Sequence, residues 1–104
     1  MMKPDPKCCA PFLKALADKT RWRIVRELLY SPLTVSELAE RLRVSHYNTS
    51  KHLRILRKAG IVESMRQGKH IQCRIVPAFQ RRVAKNKNQL DLGCCVFRFE
   101  ENSR

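Results

Sequence analysis

The sequence predicts a mainly α-helical domain with a small β-hairpin, and three observations support this fold class. Apolar residues recur at helical spacing from residue 12 to residue 60. Residues 61–76 then alternate between apolar and polar side chains, as strands do. The chain has 104 residues, which is enough for one hydrophobic core and leaves no room for a second.

Two helices are predicted in the first third of the chain. The first is indicated by apolar residues at helical spacing, which are Phe12, Leu13, Leu16 and Ala17. Asp18 is a favourable N-cap for the second helix, and Pro32 limits it. The apolar face of this helix consists of Trp22, Ile24, Val25, Leu28 and Leu29. Residues 1–10 contain two prolines and two cysteines without periodicity, so we expect an N-terminal arm there.

Two shorter helices follow, joined by a tight turn. Thr34 and Glu37 fit a capping box that opens a third helix through Leu42. Ser45 caps a fourth helix, and Gly60 follows its end, where a left-handed conformation is needed. The apolar side of the fourth helix is expected to hold Leu53, Ile55 and Leu56. Two helices in this arrangement form a helix-turn-helix.

The remaining chain is predicted to contain a hairpin, a fifth helix and a tail. Residues 61–65 and 70–76 alternate like strands and are joined by residues 66–69, so we expect a hairpin whose tip is made basic by Arg66 and Lys69. Pro77 suits the first turn of a helix that we expect to contain Phe79 and Val83. The apolar residues 90–99 have a strand-like pattern. We therefore divide the chain into an arm (1–10), a winged helix-turn-helix domain (11–88) and a cysteine-containing tail (89–104).

The charge of the chain favours a polyanionic partner. Lysine and arginine number 22 against nine acids, which gives a formal charge of +13. Nine of the basic residues and one acid, Glu63, lie between Arg41 and Arg74. Nucleic acid is the first partner this predicts, and an anionic membrane surface is the second. No apolar run approaches the ~20 residues of a membrane span. The N-terminus lacks the core of a signal peptide, so we expect a cytoplasmic protein.

An enzyme is not predicted. The three glycines form no Gly-rich phosphate loop, and no Ser/His/Asp or paired-carboxylate arrangement is visible. The histidines, which are His46, His52 and His70, all fall in the region predicted to face nucleic acid.

The start of the fourth helix carries the residues predicted to contact DNA. A helix-turn-helix places its second helix in the major groove, with N-terminal residues touching base edges. Asn48 suits adenine, and His46 and Lys51 suit guanine acceptors. The full predicted set is Ser45, His46, Tyr47, Asn48, Ser50, Lys51, His52 and Arg54, with Arg66 and Lys69 beside His70 at the hairpin tip. The basic residues further along the fourth helix, which are Arg54, Arg57 and Lys58, are better placed for contacts with phosphates. For His52 and Tyr47, packing inside the domain is the alternative.

Residues 12–76 resemble the winged-helix repressors of the arsenic-repressor (ArsR/SmtB) family. The resemblance lies in FLKALADKTRWRIVRELL and LTVSELAERLRVSHYNTSKHLRILRKAGIVESMRQGKHIQCRIV. Its specific part is S-x-x-x-x-S-K-H-L-x-x-L-x-x-x-G-[IL]-[IV] followed by R-x-G-K. The resemblance implies a homodimer joined through its first and last helices. It also implies binding of double-stranded DNA at an inverted-repeat operator, and release when an effector binds.

Two metal sites of that family lack their ligands in this sequence. The family's third-helix site uses a Cys-x-Cys segment, and Thr34 and Ser36 stand at those positions. Its zinc and nickel site on the last helix needs Asp and His. Residues 77–92 contain no histidine and a single aspartate, Asp91. Neither site is therefore expected.

The five cysteines comprise two vicinal pairs, Cys8–Cys9 and Cys94–Cys95, and Cys73. Cys73 alternates with apolar residues, so we interpret it as a core residue. Soft thiolates favour thiophilic ions, and trivalent arsenic or antimony prefers three of them. We therefore expect a metal site at Cys94 and Cys95, completed by Cys8 or Cys9 from the same protomer or its partner.

The sequence thus predicts a DNA-binding repressor that a thiophilic ion, with arsenite or antimonite favoured, releases from its operator. No cofactor is expected to be obligatory. A repressor switched by disulfide formation and a repressor without an effector are the alternatives. A winged helix that contacts RNA or protein also remains open.

Overall fold

The computed structural model of the chain describes residues 6–84, 89–91 and 96–98. The helices are α1 (Pro6–Leu16), α2 (Lys19–Leu28), α3 (Val35–Leu42), α4 (His46–Lys58) and α5 (Pro77–Gln80). The strands are β1 (Leu33–Thr34), β2 (Val62–Gln67), β3 (His70–Ile75), β4 (Val83–Ala84), β5 (Gln89–Asp91) and β6 (Val96–Arg98). They form two antiparallel sheets, in the orders β1-β3-β2 and β4-β5-β6.

The core lies between the helices and the first sheet. The helices contribute fully enclosed side chains that include Ile24, Val25, Leu38, Leu53 and Leu56. The sheet side adds Ile61, Val62, Cys73 and Ile75. Burial of this apolar area drives the helices of the helix-turn-helix against the hairpin. The predicted fold class, a winged helix-turn-helix, is therefore confirmed.

The helix starts follow from the capping residues that the sequence predicts. The carboxylate of Asp18 accepts a hydrogen bond from the Arg21 backbone N–H at 3.0 Å and caps α2. At α3, Thr34 Oγ1 accepts from the Glu37 N–H at 3.1 Å, and the Glu37 carboxylate accepts from the Thr34 N–H at 2.8 Å. This is the predicted capping box, and it fixes where α3 leaves β1.

The ends of α3 and α4 both use a left-handed residue. Arg43, with φ of 58°, closes α3, and the Val44 N–H donates to the Ala39 carbonyl at 3.1 Å. At the end of α4, Gly60 has φ of 80°, and the Ile61 N–H donates to the Leu56 carbonyl at 3.0 Å. The hydrogen bonding at the end of α4 is that of a Schellman motif. This motif needs a left-handed residue just after the helix, which is the role predicted for Gly60.

The wing is the β2–β3 hairpin, residues 62–75, and it extends closer to its tip than predicted. Arg66 and Gln67 belong to β2, and Gln67 pairs with His70 across a two-residue turn. Gly68, with φ of 61°, supplies the positive φ that such a turn needs at its first position. Strand β1, which was not predicted, adds a third strand by pairing Leu33 with Cys73.

One predicted helix start and one predicted helix face differ from the structure. Helix α1 begins at Pro6, so residues 6–10 belong to it rather than to an arm. Proline is favourable in the first turn of a helix, which explains this early start. Ile55 is 38% exposed, whereas its neighbours on the buried face of α4 are enclosed, so it does not lie on the apolar side.

The prediction that the fifth helix contains Val83 is also wrong. Helix α5 ends at Gln80, and Val83 instead begins β4 and pairs with Leu90 of β5. Phe79 of α5 is buried and packs against Phe12 of α1, with ring centroids 5.7 Å apart. The strand-like pattern of the tail is confirmed for residues 90–91 and 96–98. The last helix of the described residues, which the family resemblance implied as a dimer element, thus has only four residues.

Among the described residues, every helix falls short of the length or the hydrophobicity that spanning a bilayer needs.

Candidate nucleic-acid interface

The N-terminus of α4 is held in place by its cap. Ser45 Oγ accepts a hydrogen bond from the Asn48 N–H at 3.0 Å. One turn on, the enclosed Thr49 hydroxyl donates to the Ser45 carbonyl at 2.8 Å. Both bonds tie the helix start to the turn that precedes it, so the first turn of α4 has a defined orientation.

One face of α4 is exposed. Its buried residues are Thr49, Leu53 and Leu56. Because the helix advances 100° per residue, the opposite face carries an exposed stripe at spacings i, i+4, i+7 and i+11, which consists of Tyr47, Lys51, Arg54 and Lys58. We call these four residues the recognition stripe. Tyr47 is 74% exposed, so the alternative that it packs inside the domain is wrong.

The flanks of the recognition stripe hold further predicted residues. Asn48 and Ile55 lie on one side of the stripe, and His46, Ser50 and Arg57 lie on the other. All except Ser50 are exposed.

An open groove of about 680 Å³ separates the start of α4 from the wing. Its lining comes from β1, α3, α4 and the wing and comprises Thr34, Val35, Ser36, Glu37, His46, Gln67, Lys69, His70, Ile71 and Gln72. Arg66, Lys69 and His70 are exposed at the wing tip. The start of α4 and the basic wing tip therefore border one continuous concave surface.

His52 lies on a different side of α4 from the recognition stripe. It is half-buried, and its Nδ1 is 3.1 Å from Arg21 Nη1. Since a guanidinium donates and has no acceptor, Nδ1 accepts this hydrogen bond. The structure thus favours the alternative in which His52 packs within the domain.

The acids nearest this surface are engaged by neighbouring groups. Hydrogen bonding from the Thr34 backbone lowers the pKa of Glu37 below its ordinary value, with further lowering from Arg41 and His70. Glu63 Oε2 lies 2.6 Å from both Nε and Nη2 of Arg74. These contacts offset part of the acidic charge beside the cationic residues of α4 and the wing tip.

The predicted metal site cannot be built from the described residues. Cys94 and Cys95 lie outside the described residues. Cys8 and Cys9 belong to α1, but the structure does not describe their side chains. Within the described part of the chain, no group of three His, Cys, Asp or Glu side chains is arranged to hold a metal ion. Cys73 is buried as predicted, and burial raises the pKa of its thiol.

The fold and the exposed helix define a winged helix-turn-helix of the DNA-binding kind, and comparison with known proteins agrees. Residues 16–64 match the family model described as a helix-turn-helix domain. The structure superposes on an ArsR-like transcriptional regulator from Rhodococcus with a TM-score of 0.65 and 40% identity, covering 69% of this chain and 68% of that one. It also superposes on a homodimeric winged helix-turn-helix DNA-binding domain from Mycobacterium bovis with a TM-score of 0.65 and 25% identity, covering 75% and 78%.

Among curated proteins, the cadmium resistance transcriptional regulatory protein CadC of Listeria innocua is 36% identical over 66 residues, or 62% of this chain and 56% of CadC. The chain spans about half the length of the curated relatives it matches. The protein belongs to the ArsR/SmtB family of winged helix-turn-helix transcriptional regulators. The Rhodococcus protein and CadC are transcriptional regulators by name.

Proposed function

We propose that the protein is a homodimeric transcriptional repressor that binds an inverted-repeat operator in double-stranded DNA. The observation that carries this proposal is the recognition stripe, which exposes Tyr47, Lys51, Arg54 and Lys58 along one face of α4. A helix with such a face fits the major groove of B-DNA.

The contacts divide between bases and phosphates. Tyr47, Asn48 and Lys51 lie in the first half of α4, which is the half that meets base edges in a helix-turn-helix. Arg54 and Lys58 lie further along the stripe and suit phosphates, which fix register without reading sequence. At the wing tip, Lys69 lies across the groove from His46, and Arg66 is exposed nearby. Both suit the adjacent backbone or minor groove.

A homodimer is supported by the M. bovis neighbour, whose winged helix-turn-helix domain is homodimeric. On α1, Leu13 is an apolar side chain that is 38% exposed, and we assign it to such a contact. Since α5 has four residues and is followed by strands, the last helix offers little length for the dimer contact that the family resemblance implies.

In vitro selection from random duplexes, followed by footprinting, tests the operator and the dimer together. We expect enrichment of an inverted repeat with half-site centres about 10–10.5 bp apart, or a multiple of that distance. Enrichment of single half-sites contradicts the dimer. A failure to enrich any sequence contradicts the operator.

We further propose that a thiophilic ion bound by Cys94 and Cys95, with Cys8 or Cys9, releases the operator. The relative CadC is named for cadmium resistance. In this chain Thr34 and Ser36, which replace the family's Cys-x-Cys, form the α3 cap and line the groove. The vicinal pairs therefore remain as the thiolate sources, and α1 carries one of them. A typical coupling free energy of about 1–3 kcal/mol corresponds to roughly 5- to 150-fold weaker operator binding.

A titration with arsenite tests this effector. Arsenite is added to the reduced protein bound to its labelled operator, and fluorescence anisotropy measures the release of the DNA. We expect release near stoichiometric arsenite. A Cys94→Ser/Cys95→Ser variant should lose the response, while the buried Cys73→Ala control keeps it. Wild-type-like release from the double variant contradicts the tail site. Release by peroxide instead of arsenite would support the disulfide alternative.

A further inference from the structure

The side chain of Arg21 connects three helices. From α2, its Nε donates to the Ala15 carbonyl at 2.6 Å, and its Nη2 lies 3.4 Å from the Lys14 carbonyl. Both carbonyls belong to the last turn of α1, where backbone acceptors lack partners within the helix. Its Nη1 donates to His52 Nδ1 on α4 at 3.1 Å.

Asp18 completes this cluster from the turn between α1 and α2. Its Oδ2 accepts from the Arg21 backbone N–H at 3.0 Å and lies 3.9 Å from His52 Nδ1. The Arg21 backbone hydrogen bond, together with the charge of Arg21, lowers the pKa of Asp18 against the opposing effect of burial. The carboxylate is thus held ionised beside the guanidinium, and Arg21 is fixed at both its backbone and its side chain.

The contact with His52 bears on how α4 presents the recognition stripe. A rotation of α4 by about 10° moves a side-chain atom about 6 Å from the helix axis by roughly 1 Å. Displacements of that size take a base-edge hydrogen bond from about 2.9 Å to beyond 3.6 Å, where it no longer counts as one. Base contacts are therefore sensitive to the rotation of α4, whereas phosphate attraction varies more slowly with distance.

We propose that Arg21 and His52 are positioning residues for operator recognition, an inference that rests on the proposed DNA-binding function. Their hydrogen bond fixes the rotation of α4 relative to α2, and the bonds from Arg21 to α1 make that rotation depend on where α1 sits. Because α1 also carries Cys8 and Cys9, a change at its N-terminal end has a direct route to the recognition helix.

A double-mutant cycle on DNA specificity tests this link. The readout is the ratio of dissociation constants for an unrelated duplex and for the selected operator, which is roughly 10³ or more for a specific binder. His52→Leu and Arg21→Met should each lower the ratio about tenfold. In the His52 variants, the dissociation constant for the unrelated duplex should stay within twofold of the wild-type value. The double variant should also lose about tenfold, because both changes remove the same bond.

Two further variants separate positioning from general destabilisation. His52→Gln keeps an acceptor and should restore most of the ratio. Arg23→Met removes the same charge from α2, where Arg23 donates to the Leu42 backbone carbonyl at 3.2 Å, and it should leave the ratio within twofold. Thermal melts confirm folding. If Arg21→Met does not fold, the comparison of His52→Leu with His52→Gln still decides whether the hydrogen-bond acceptor at position 52 sets the specificity ratio.

The proposal is overturned if His52→Leu keeps the wild-type ratio, if His52→Gln falls as far as His52→Leu, or if the double variant loses about a hundredfold. A wild-type protein that shows no preference for the operator would instead contradict the proposed function itself.

Discussion

Replacing Arg54 with glutamine removes one cation of the recognition stripe from each protomer. Arg54 is exposed at the third position of the stripe, where we place a phosphate contact. Binding that neutralises Z phosphates falls with salt with a logarithmic slope of about −0.9Z. Because a homodimer loses two contacts, Arg54→Gln should make the slope of operator binding about 1.8 less steep.

The size of the effect follows from that change in slope. Between 50 and 200 mM salt the concentration rises fourfold, so a slope difference of about 1.8 corresponds to roughly a 12-fold change in relative affinity. The variant should therefore bind much more weakly than wild type at low salt, with a deficit about 12-fold smaller at 200 mM. Fluorescence anisotropy at four or five salt concentrations measures both slopes.

Two controls make the experiment specific. Arg41→Gln removes the same charge from α3, where Arg41 lies 3.3 Å from Glu27 and away from the stripe, so its slope should match wild type. Asn48→Ala should weaken operator binding without changing the slope, because a base contact releases no phosphate counterion. An unchanged salt slope for Arg54→Gln would refute the assignment of phosphate contacts to the recognition stripe. An equally reduced salt slope for Arg41→Gln would refute it as well.

Three further predictions concern the stability of the domain. Gly60→Ala forces a Cβ into a left-handed residue and should lower the free energy of unfolding by about 1 kcal/mol in urea titrations, so an unchanged midpoint would argue against the Schellman motif. Ser45→Ala removes the cap of α4 and should cost about 1 kcal/mol, whereas Ser50→Ala, within the same helix, should cost much less. The folded pKa of Asp18 is lowered, so its contribution to stability is present above the ordinary aspartate pKa of about 3.9 and is lost as the pH falls through the folded value. The free energy of unfolding of Asp18→Asn should accordingly fall less than that of wild type between pH 6 and pH 3. An equally steep fall in the variant would contradict this.

The features that the sequence predicts well are those fixed by nearby residues. The caps at Asp18, Thr34 and Ser45 and the turn at Gly60 each depend on backbone groups within a few positions. Their side-chain chemistry therefore specifies the helix boundaries directly. The exposed face of α4 follows in the same way from helical periodicity once the core residues Leu53 and Leu56 are known.

The features that were missed depend on contacts between distant parts of the chain. Strand β1 has two residues and exists through its pairing with β3, in the register Leu33–Cys73 and Thr34–Gln72. The paired residues are 38 to 40 positions apart, so the pairing is not visible in the local sequence. Val83 fits the helical spacing of Phe79, but its pairing with Leu90 prevails. The Arg21–His52 bond joins residues 31 positions apart, so the sequence gives no signal for it beyond the position of His52 next to Leu53.

Competition against operator-bound protein tests the central claim most directly. A labelled operator duplex in complex with the protein is challenged with unlabelled operator, an unrelated duplex and an RNA duplex of the operator sequence. If the recognition stripe reads base edges in the major groove, unlabelled operator should displace the label at concentrations roughly 10³-fold lower than the other two. Equal displacement by all three would show that the basic face binds polyanions without reading sequence, and would contradict the account.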